Sequence, residues 1–328
     1  MKRSLLLFSC AMFFILANAK SRIPAEVYKT GALARICVKV VDQDGKSVSG
    51  AKIWGGFTSG NMLNDYVLVE GWTDENGEFV AQGKCNEFLR FDVVKRGYYH
   101  SEEKVYFGSS EAVPLVVDGK WQPFGDVRTV ILKKIKKPWG VSVFDEKQCR
   151  HEIPVFGQWL PFDMECSDWL SPYGKGLHDD VLLRFEKKET GKWYEFSFSM
   201  EACFTNHPYA GVYCRPMDEF SDLKTAYEAD TNANFNAFYT FSIDSQPRKR
   251  VIEKGLARDS YLVFRTRTRV DKQGRLIGAH YGKYCRGWRS DSKQMLFGEG
   301  CFNQVENDPN IEGDLIVKYA IKNYKARK

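Results

Sequence analysis

The stretch "DMECSDWLSPYGKGLHDD", residues 163 to 180, gathers more groups able to do chemistry than any other part of the chain. Asp163, Asp168, His178 and Asp180 include the pair of carboxylates a hydrolase would use as acid and base, with His178 as a proton carrier or metal ligand. Glu165, Lys175 and Asp179 add charge, and Gly174 and Gly176 add flexible joints. No spacing here is diagnostic. Gly-Lys-Gly lacks the upstream glycine and the following Ser or Thr of a phosphate-binding loop. The ordinary alternative is a tight turn beside Cys166 whose carboxylates are solvated.

A second chemical pattern is "FRTRTRV". In a regular strand Arg265, Arg267 and Arg269 share one face at about 7 Å intervals, a row able to grip the sulfate or carboxylate groups of an acidic glycan. Pairing with acidic residues across neighbouring strands is the commoner fate of such a row. Trp54, Trp72, Trp121, Trp169 and Trp288 are candidates for flat sugar platforms, against core packing as the ordinary use.

Metal patterns are weaker. His100 and Glu103 match an H-x-x-E zinc spacing, but on a strand they point to opposite faces. "DTNANFN" from Asp230 lacks the glycine and the final Glu of a calcium loop. The turn acids Asp42, Asp44, Asp74 and Glu75 could hold a weak Ca2+ ion; shaping turns is their usual work. The expectation is no cofactor and no dedicated metal site. There is no G-x-S-x-G elbow, no H-E-x-x-H and no G-x-G-x-x-G after a strand.

Lys2 and Arg3 precede an apolar run from Leu5 to Leu16 and the small-residue ending Ala17-Asn18-Ala19, the layout of a cleaved secretory signal over residues 1–19. No later stretch has the roughly 20 apolar residues of a spanning helix. The expected location is secreted, periplasmic or extracellular, including the cell surface. Removing the leader leaves Cys37, Cys85, Cys149, Cys166, Cys203, Cys214, Cys285 and Cys301, an even set that in an exported chain favours disulfides. Nearest-neighbour pairing, 37 with 85, 149 with 166, 203 with 214 and 285 with 301, is the simplest scheme. The 328-residue chain carries a formal charge of +6, falling to +4 without Lys2 and Arg3, and nucleic acid is not an expected partner.

The 23 Phe, 16 Tyr and 8 Trp fall in short alternating runs rather than on helical stripes, which reads as all-β. Residues 20–136 hold about seven strands separated by turns such as Asp-Gln-Asp-Gly and Asn76-Gly77, a sandwich pattern. After "KKIKKPWG" residues 137–328 form a second β-rich, sandwich-like domain. There "DVLLRFEKK" and "KWYEFSFSMEA" form one strand pair, and "SYLVFRTRTRV" and "RLIGAHYGKY" a hairpin through Asp271 to Gly274. "MDEFSDLKTAYEA" is the best helix candidate.

"VDQDGKSVSGAKI", "GWTDENGEF" and "VVKRGYYHSEE" together resemble the carboxypeptidase regulatory-like domain, over about residues 34 to 134. The resemblance implies a transthyretin-like β-sandwich and a non-catalytic scaffold or binding module. "SDWLSPYGKGLHDDVLLRF", "YLVFRTRTRVDKQGRLIGAHYGKYCRGW" and "NDPNIEGDL" make the whole chain similar to secreted bacterial proteins that couple this module to a β-rich domain. The expected role is a secreted, surface-associated binding or structural protein whose partner is an extracellular polymer, including acidic glycans, or a protein. The alternative is a secreted hydrolase with its site at Asp163, Asp168, His178 and Asp180.

Overall fold

The computed structural model describes residues 23–58, 66–109, 115–138, 140–145, 147–189, 195–205, 207–218, 220–246, 249–255, 259–285, 289–290, 294–296 and 299–313. The leader expected over residues 1–19 and Trp288 lie outside them. No helix among the described residues is long and apolar enough to cross a membrane. The chain is all-β and divides into two compact units, residues 1–135 with 220–222, and residues 136–219 with 223–328.

In the first unit a short helix α1 (Ala25–Thr30) precedes β1 (Ala32–Asp42), β2 (Lys52–Thr58), β3 (Tyr66–Trp72), β4 (Glu78–Cys85), β5 (Phe88–Val94), β6 (Ser101–Tyr106), β7 (Val116–Val117), β8 (Lys120–Trp121) and β9 (Asp126–Leu132). One sheet pairs β4, β1, β8 and β7 in order, with β9 parallel to β1; the other runs β3-β2-β5-β6. Period-2 alternation makes the sandwich. Ala34, Ile36, Val38 and Val40 of β1 point inward against Ile53, Phe57, Phe91 and Val93 of the facing sheet. The turn acids serve their own backbone: Asp42 accepts from the N–H groups of Asp44 and Lys46 and from Lys134 Nζ at 2.8 Å, and Asp74 accepts from Asn76 and Glu78.

The second unit contains β10 (Val141–Phe144), β11 (Arg150–Glu152), β12 (Trp159–Asp163), β13 (Asp168–Trp169), β14 (Val181–Glu189), β15 (Phe196–Cys203) and β16 (Gly211–Pro216). These are followed by β17 (Phe238–Gln246), β18 (Lys249–Lys254), β19 (Ser260–Val270), β20 (Leu276–Cys285), β21 (Arg289–Ser290), β22 (Gln294–Leu296) and β23 (Gly300–Asn303). A six-stranded sheet, β13-β12-β14-β15-β17-β18, packs Phe162, Phe185, Phe198 and Phe241 onto Leu262, Phe264, Tyr284 and Phe302 of a five-stranded sheet, β10-β23-β20-β19-β16. The far face of the five-stranded sheet has its own core, where Val263, Tyr281 and Cys301 meet Ala229 and Ile311.

Two expectations are corrected. The described residues of "MDEFSDLKTAYEA" are bends and isolated bridges rather than a helix, with Ser221 bridged to Ser101 and Glu228 to Asn310. The disulfides expected among Cys37, Cys85, Cys149, Cys166, Cys203, Cys214, Cys285 and Cys301 are not formed among the described residues. In the β1–β4 ladder Cys37 lies opposite Val80, so Cys85 is about 17 Å farther along the strand, against the ~4.4–6.8 Å between Cα atoms that a bridge needs. Cys301 lies opposite Lys283, which leaves Cys285 on a diagonal of about 7–8 Å. Cys203 and Cys214 sit in different sheets. Cys149 accepts from Ser167 Oγ at 3.8 Å and is buried, whereas Cys166 is exposed.

His100 faces Asp92 (Nε2 to Oδ1, 2.7 Å) and Asp222 (Nδ1 to Oδ1, 3.3 Å), and its backbone carbonyl accepts from Asp222 N–H. Glu103 lies opposite Phe91 on the other face, so the two never share a metal. The hydrogen bond to Asp222 outweighs burial and raises His100 to about 8. Because the native value lies above the ordinary ~6.5, the stabilisation is complete below about pH 6.5 and disappears as pH rises through about 8. In this solvent-screened position the expected size is about 1 kcal/mol. Thermal unfolding at pH 6 and pH 9 should show that loss in the native protein and not in His100→Gln; an equal loss in both would refute it.

Candidate functional site

The two chemical patterns of the sequence meet in one cluster. Arg267 places Nε 2.8 Å from Asp180 Oδ1 and Nη2 2.9 Å from Asp180 Oδ2, a bidentate pair. Its Nη1 donates to Glu165 Oε2 and its Nη2 to Asp163 Oδ1 at 3.2 Å. The guanidinium lies 4.8 Å from the centre of the Phe302 ring, which covers it with an aromatic face.

A β-bulge makes this possible. Along β19 and β20, Thr266 pairs with His280 and Arg269 with Gly278, so Arg267 and Thr268 together oppose one residue. Arg267 takes the bulge's left-handed conformation, with φ of 50°. The extra residue turns Arg267 toward the space between the sheets, where Thr266 Oγ1 also donates to Asp180 Oδ1 at 3.1 Å.

The expected single face of three arginines therefore does not exist. Arg265 stays on the far side of the five-stranded sheet, buried, donating to the carbonyls of Tyr209 and Thr231 and lying 4.0 Å from the Phe235 ring centre. Arg269 is exposed and forms a fork with Glu306 at 2.8 and 2.7 Å.

The acidic side is held by loop backbone. Asp163 Oδ1 accepts from Glu165 N–H, and Oδ2 accepts from the N–H groups of Leu177 and His178 at 2.9 and 3.0 Å. Asp180 Oδ2 accepts from Met164 N–H at 2.9 Å. Asp168 takes no part in the cluster: it accepts from Trp169 N–H and Lys175 N–H and clamps its own turn. The glycines of Gly-Lys-Gly are needed for this wrapping. A Cβ on Gly174 would lie 2.3 Å from Trp169 O, and one on Gly176 2.8 Å from Asp163 Cβ.

Burial alone would raise the Asp163 carboxyl; three backbone N–H groups and Arg267 outweigh it and hold Asp163 below the usual carboxylate range. Burial pushes Asp180 up in spite of the guanidinium. Burial also disfavours the Arg267 charge, and Asp180 and Glu165 more than offset this. Two carboxylates moved apart in this way resemble an acid–base pair, but Asp180 has no exposed surface and Asp163 almost none. Although Cys166 as a residue is exposed, desolvation of its thiol, reinforced by Asp163 and Asp168, pushes it up to about 12, far from a nucleophile's range. Of the cluster, Glu165 and His178 reach the surface most, and the Arg267 side chain is 16% exposed.

Among the described residues, Asp163, Glu165 and His178 are the group of three whose ligand atoms lie within 4.8 Å of one another. The Asp163 and Glu165 carboxylates already neutralise Arg267, and a cation seated there would face that guanidinium.

No family model matches the chain, and no curated protein matches it. Similar solved structures include 3-chlorocatechol 1,2-dioxygenase from Rhodococcus opacus, 16% identical with a TM-score of 0.26 over 35% of this chain and 63% of that one. A streptococcal ancillary pilin is 13% identical, TM-score 0.22, over 81% and 58%. A protein of Bacteroides uniformis described as a proposed carbohydrate binder is 12% identical, TM-score 0.19, over 84% and 98%. The chain thus spans less than two thirds of the dioxygenase and of the pilin. These are distant likenesses to β-rich bacterial proteins, and no family model supports the carboxypeptidase regulatory-like resemblance expected from the sequence.

The tryptophans divide. Trp121 and Trp169 are buried and donate to the carbonyls of Cys85 and Glu152; Trp54 and Trp72 are exposed. Trp159, which the sequence pattern did not single out, is also exposed, and only its position opposite Arg184 in the β12–β14 ladder marks it.

Removing Arg267 leaves three carboxylates around an empty centre. Arg267→Ala is expected to cost about 3–5 kcal/mol at neutral pH, with a smaller deficit near pH 4, where the stranded carboxylates take up protons. Denaturant unfolding of both proteins at the two pH values measures this. A deficit under about 1 kcal/mol, the range of an exposed pair, would show that the network is not structural.

Proposed function

We propose that the chain is an exported, non-catalytic protein that binds an extracellular polysaccharide on the outward face of the β3-β2-β5-β6 sheet. The observation that carries the reading is the pair Trp54 and Trp72, 50% and 63% exposed on adjacent strands. Trp54 lies opposite Glu70 and Trp72 opposite Lys52, which makes the two residues diagonal neighbours on one face, their backbones about 7–8 Å apart. Leu68, 84% exposed, continues that apolar row along β3.

Exposed indoles side by side cost free energy in a free protein, and they mark contact surfaces. The same face carries Lys52, Arg90 and Lys104 against Glu70, Asp92 and Glu102, a balanced set that gives orientation without strong attraction for polyanions. The reading without catalysis is supported by the closed network around Arg267, in which the buried acids are consumed by internal partners.

Binding isotherms on insoluble and soluble polysaccharides, neutral and acidic, test the proposal. The Trp54→Ala, Trp72→Ala double variant should lose about tenfold or more in affinity, or ~1.4 kcal/mol, with its unfolding transition unchanged. Binding should survive about 0.5 M salt, where exposed charges are screened. Retention of full affinity by the double variant would remove the platform from the account.

A further inference from the structure

The second unit has an open cleft of about 430 Å3 on the outward face of its six-stranded sheet. Strand register builds its floor. Glu186, Ser199 and Ser242 form one row across β14, β15 and β17, and Lys188, Ser197 and Asp244 form the next. The intervening Phe198 and Ile243 point into the core, so these six side chains share the solvent side.

Beside the Glu186 end of the cleft, just beyond its lining residues, stands an aromatic wall. Trp159 pairs with Arg184, two residues before Glu186 on the same face of β14, and the Arg184 guanidinium lies 5.0 Å from the centre of the indole, whose side chain is 40% exposed. Arg184 is anchored in turn by Glu201, its neighbour across β15. Gly157, at φ of 80°, comes close to Glu186: even a Cβ there would lie 3.9 Å from Oε1, so the approach past it stays open.

From this arrangement we infer that the cleft is a second carbohydrate site, for a neutral glycan chain lying across β14, β15 and β17 with one ring against Trp159. It rests on the polysaccharide-binding reading above and adds a site and a ligand class to it. Three hydroxyls can both donate and accept, two carboxylates accept from sugar hydroxyls and Lys188 donates, a set matched to vicinal diols. The lining carries charges of both signs, Glu186 and Asp244 with Lys188, rather than a row of cations that would select uronate or sulfate groups. The volume lies within the range of about 300–1,000 Å3 typical of small-ligand sites.

The test is an array of immobilised neutral, uronate-bearing and sulfated oligosaccharides, probed with the purified protein and three variants. Ser199→Tyr fills the floor, Trp159→Ala removes the wall, and the Trp54→Ala, Trp72→Ala double variant reports on the other face. Neutral glycans should be bound, and each cleft variant should weaken binding about tenfold or more while leaving thermal unfolding unchanged. Trp159→Ala keeps the test decisive if Ser199→Tyr disturbs the sheet. Binding confined to acidic probes, or unchanged in both cleft variants, overturns the inference. Loss in the Trp54, Trp72 variant alone leaves the first-unit platform standing and removes the cleft; no binding on the array removes both.

Discussion

The second unit is organised around one buried ion pair. Arg267 comes from the five-stranded sheet, and Asp163 and Asp180 come from the ends of strands in the six-stranded sheet, so their contacts fasten one layer to the other at the end of the aromatic core. Desolvating a guanidinium and two carboxylates is expensive, and such groups repay it only when every lone pair and proton has a partner. Here the partners are supplied by loop 163–180, whose N–H groups turn inward onto the carboxylates. Much of the local geometry follows from that demand: the close-approach glycines, the Asp168 clamp, and the left-handed residue in the bulge.

The same demand explains why a sequence rich in acid–base residues presents so little of them. A general acid or base must reach a substrate proton. Asp163 and Asp180 reach only the protein; burial wins at Asp180 and raises it, while backbone N–H groups and Arg267 win at Asp163 and lower it. Perturbed values gather in structural ion networks as well as in active sites. What separates the two cases is access, and here Phe302 and the wrapped loop remove it.

Strand content was legible in the sequence because burial on one face writes a period of two into residues such as Ile36, Val38 and Val40, and because Asp-Gly and Asn-Gly turns announce themselves. The bulge was not. One extra residue changes the face of every side chain beyond it, and nothing in Arg-Thr-Arg-Thr-Arg betrays it, since either alternation of Arg and Thr is chemically plausible. The cysteines misled for a related reason: sequence proximity says little about register, and Cys37 and Cys85 sit on paired strands yet far apart along them. Pairing Arg267 with acidic neighbours was foreseeable in kind, but the partners lie 87 to 104 residues away in the chain, a distance only tertiary structure closes.

Exposure then separates the tryptophans in a way composition does not. Trp121 and Trp169 each bury the indole and satisfy the ring N–H on a carbonyl, the usual requirement for an interior tryptophan. Trp54, Trp72 and Trp159 stand on solvent-facing sheet surfaces, where a smaller polar residue would hold the strand as well and cost less in water. Two of the three sit next to a cation, Lys52 at 5.9 Å from the Trp72 ring centre and Arg184 at 5.0 Å from that of Trp159. Such a neighbour shields one aromatic face and orients the ring. Rings held in this way have already lost much of their rotational freedom in the folded protein. In both units, therefore, the exposed tryptophans stand on outward sheet faces, and in the second unit the Arg267 cluster is turned inward to hold the layers together.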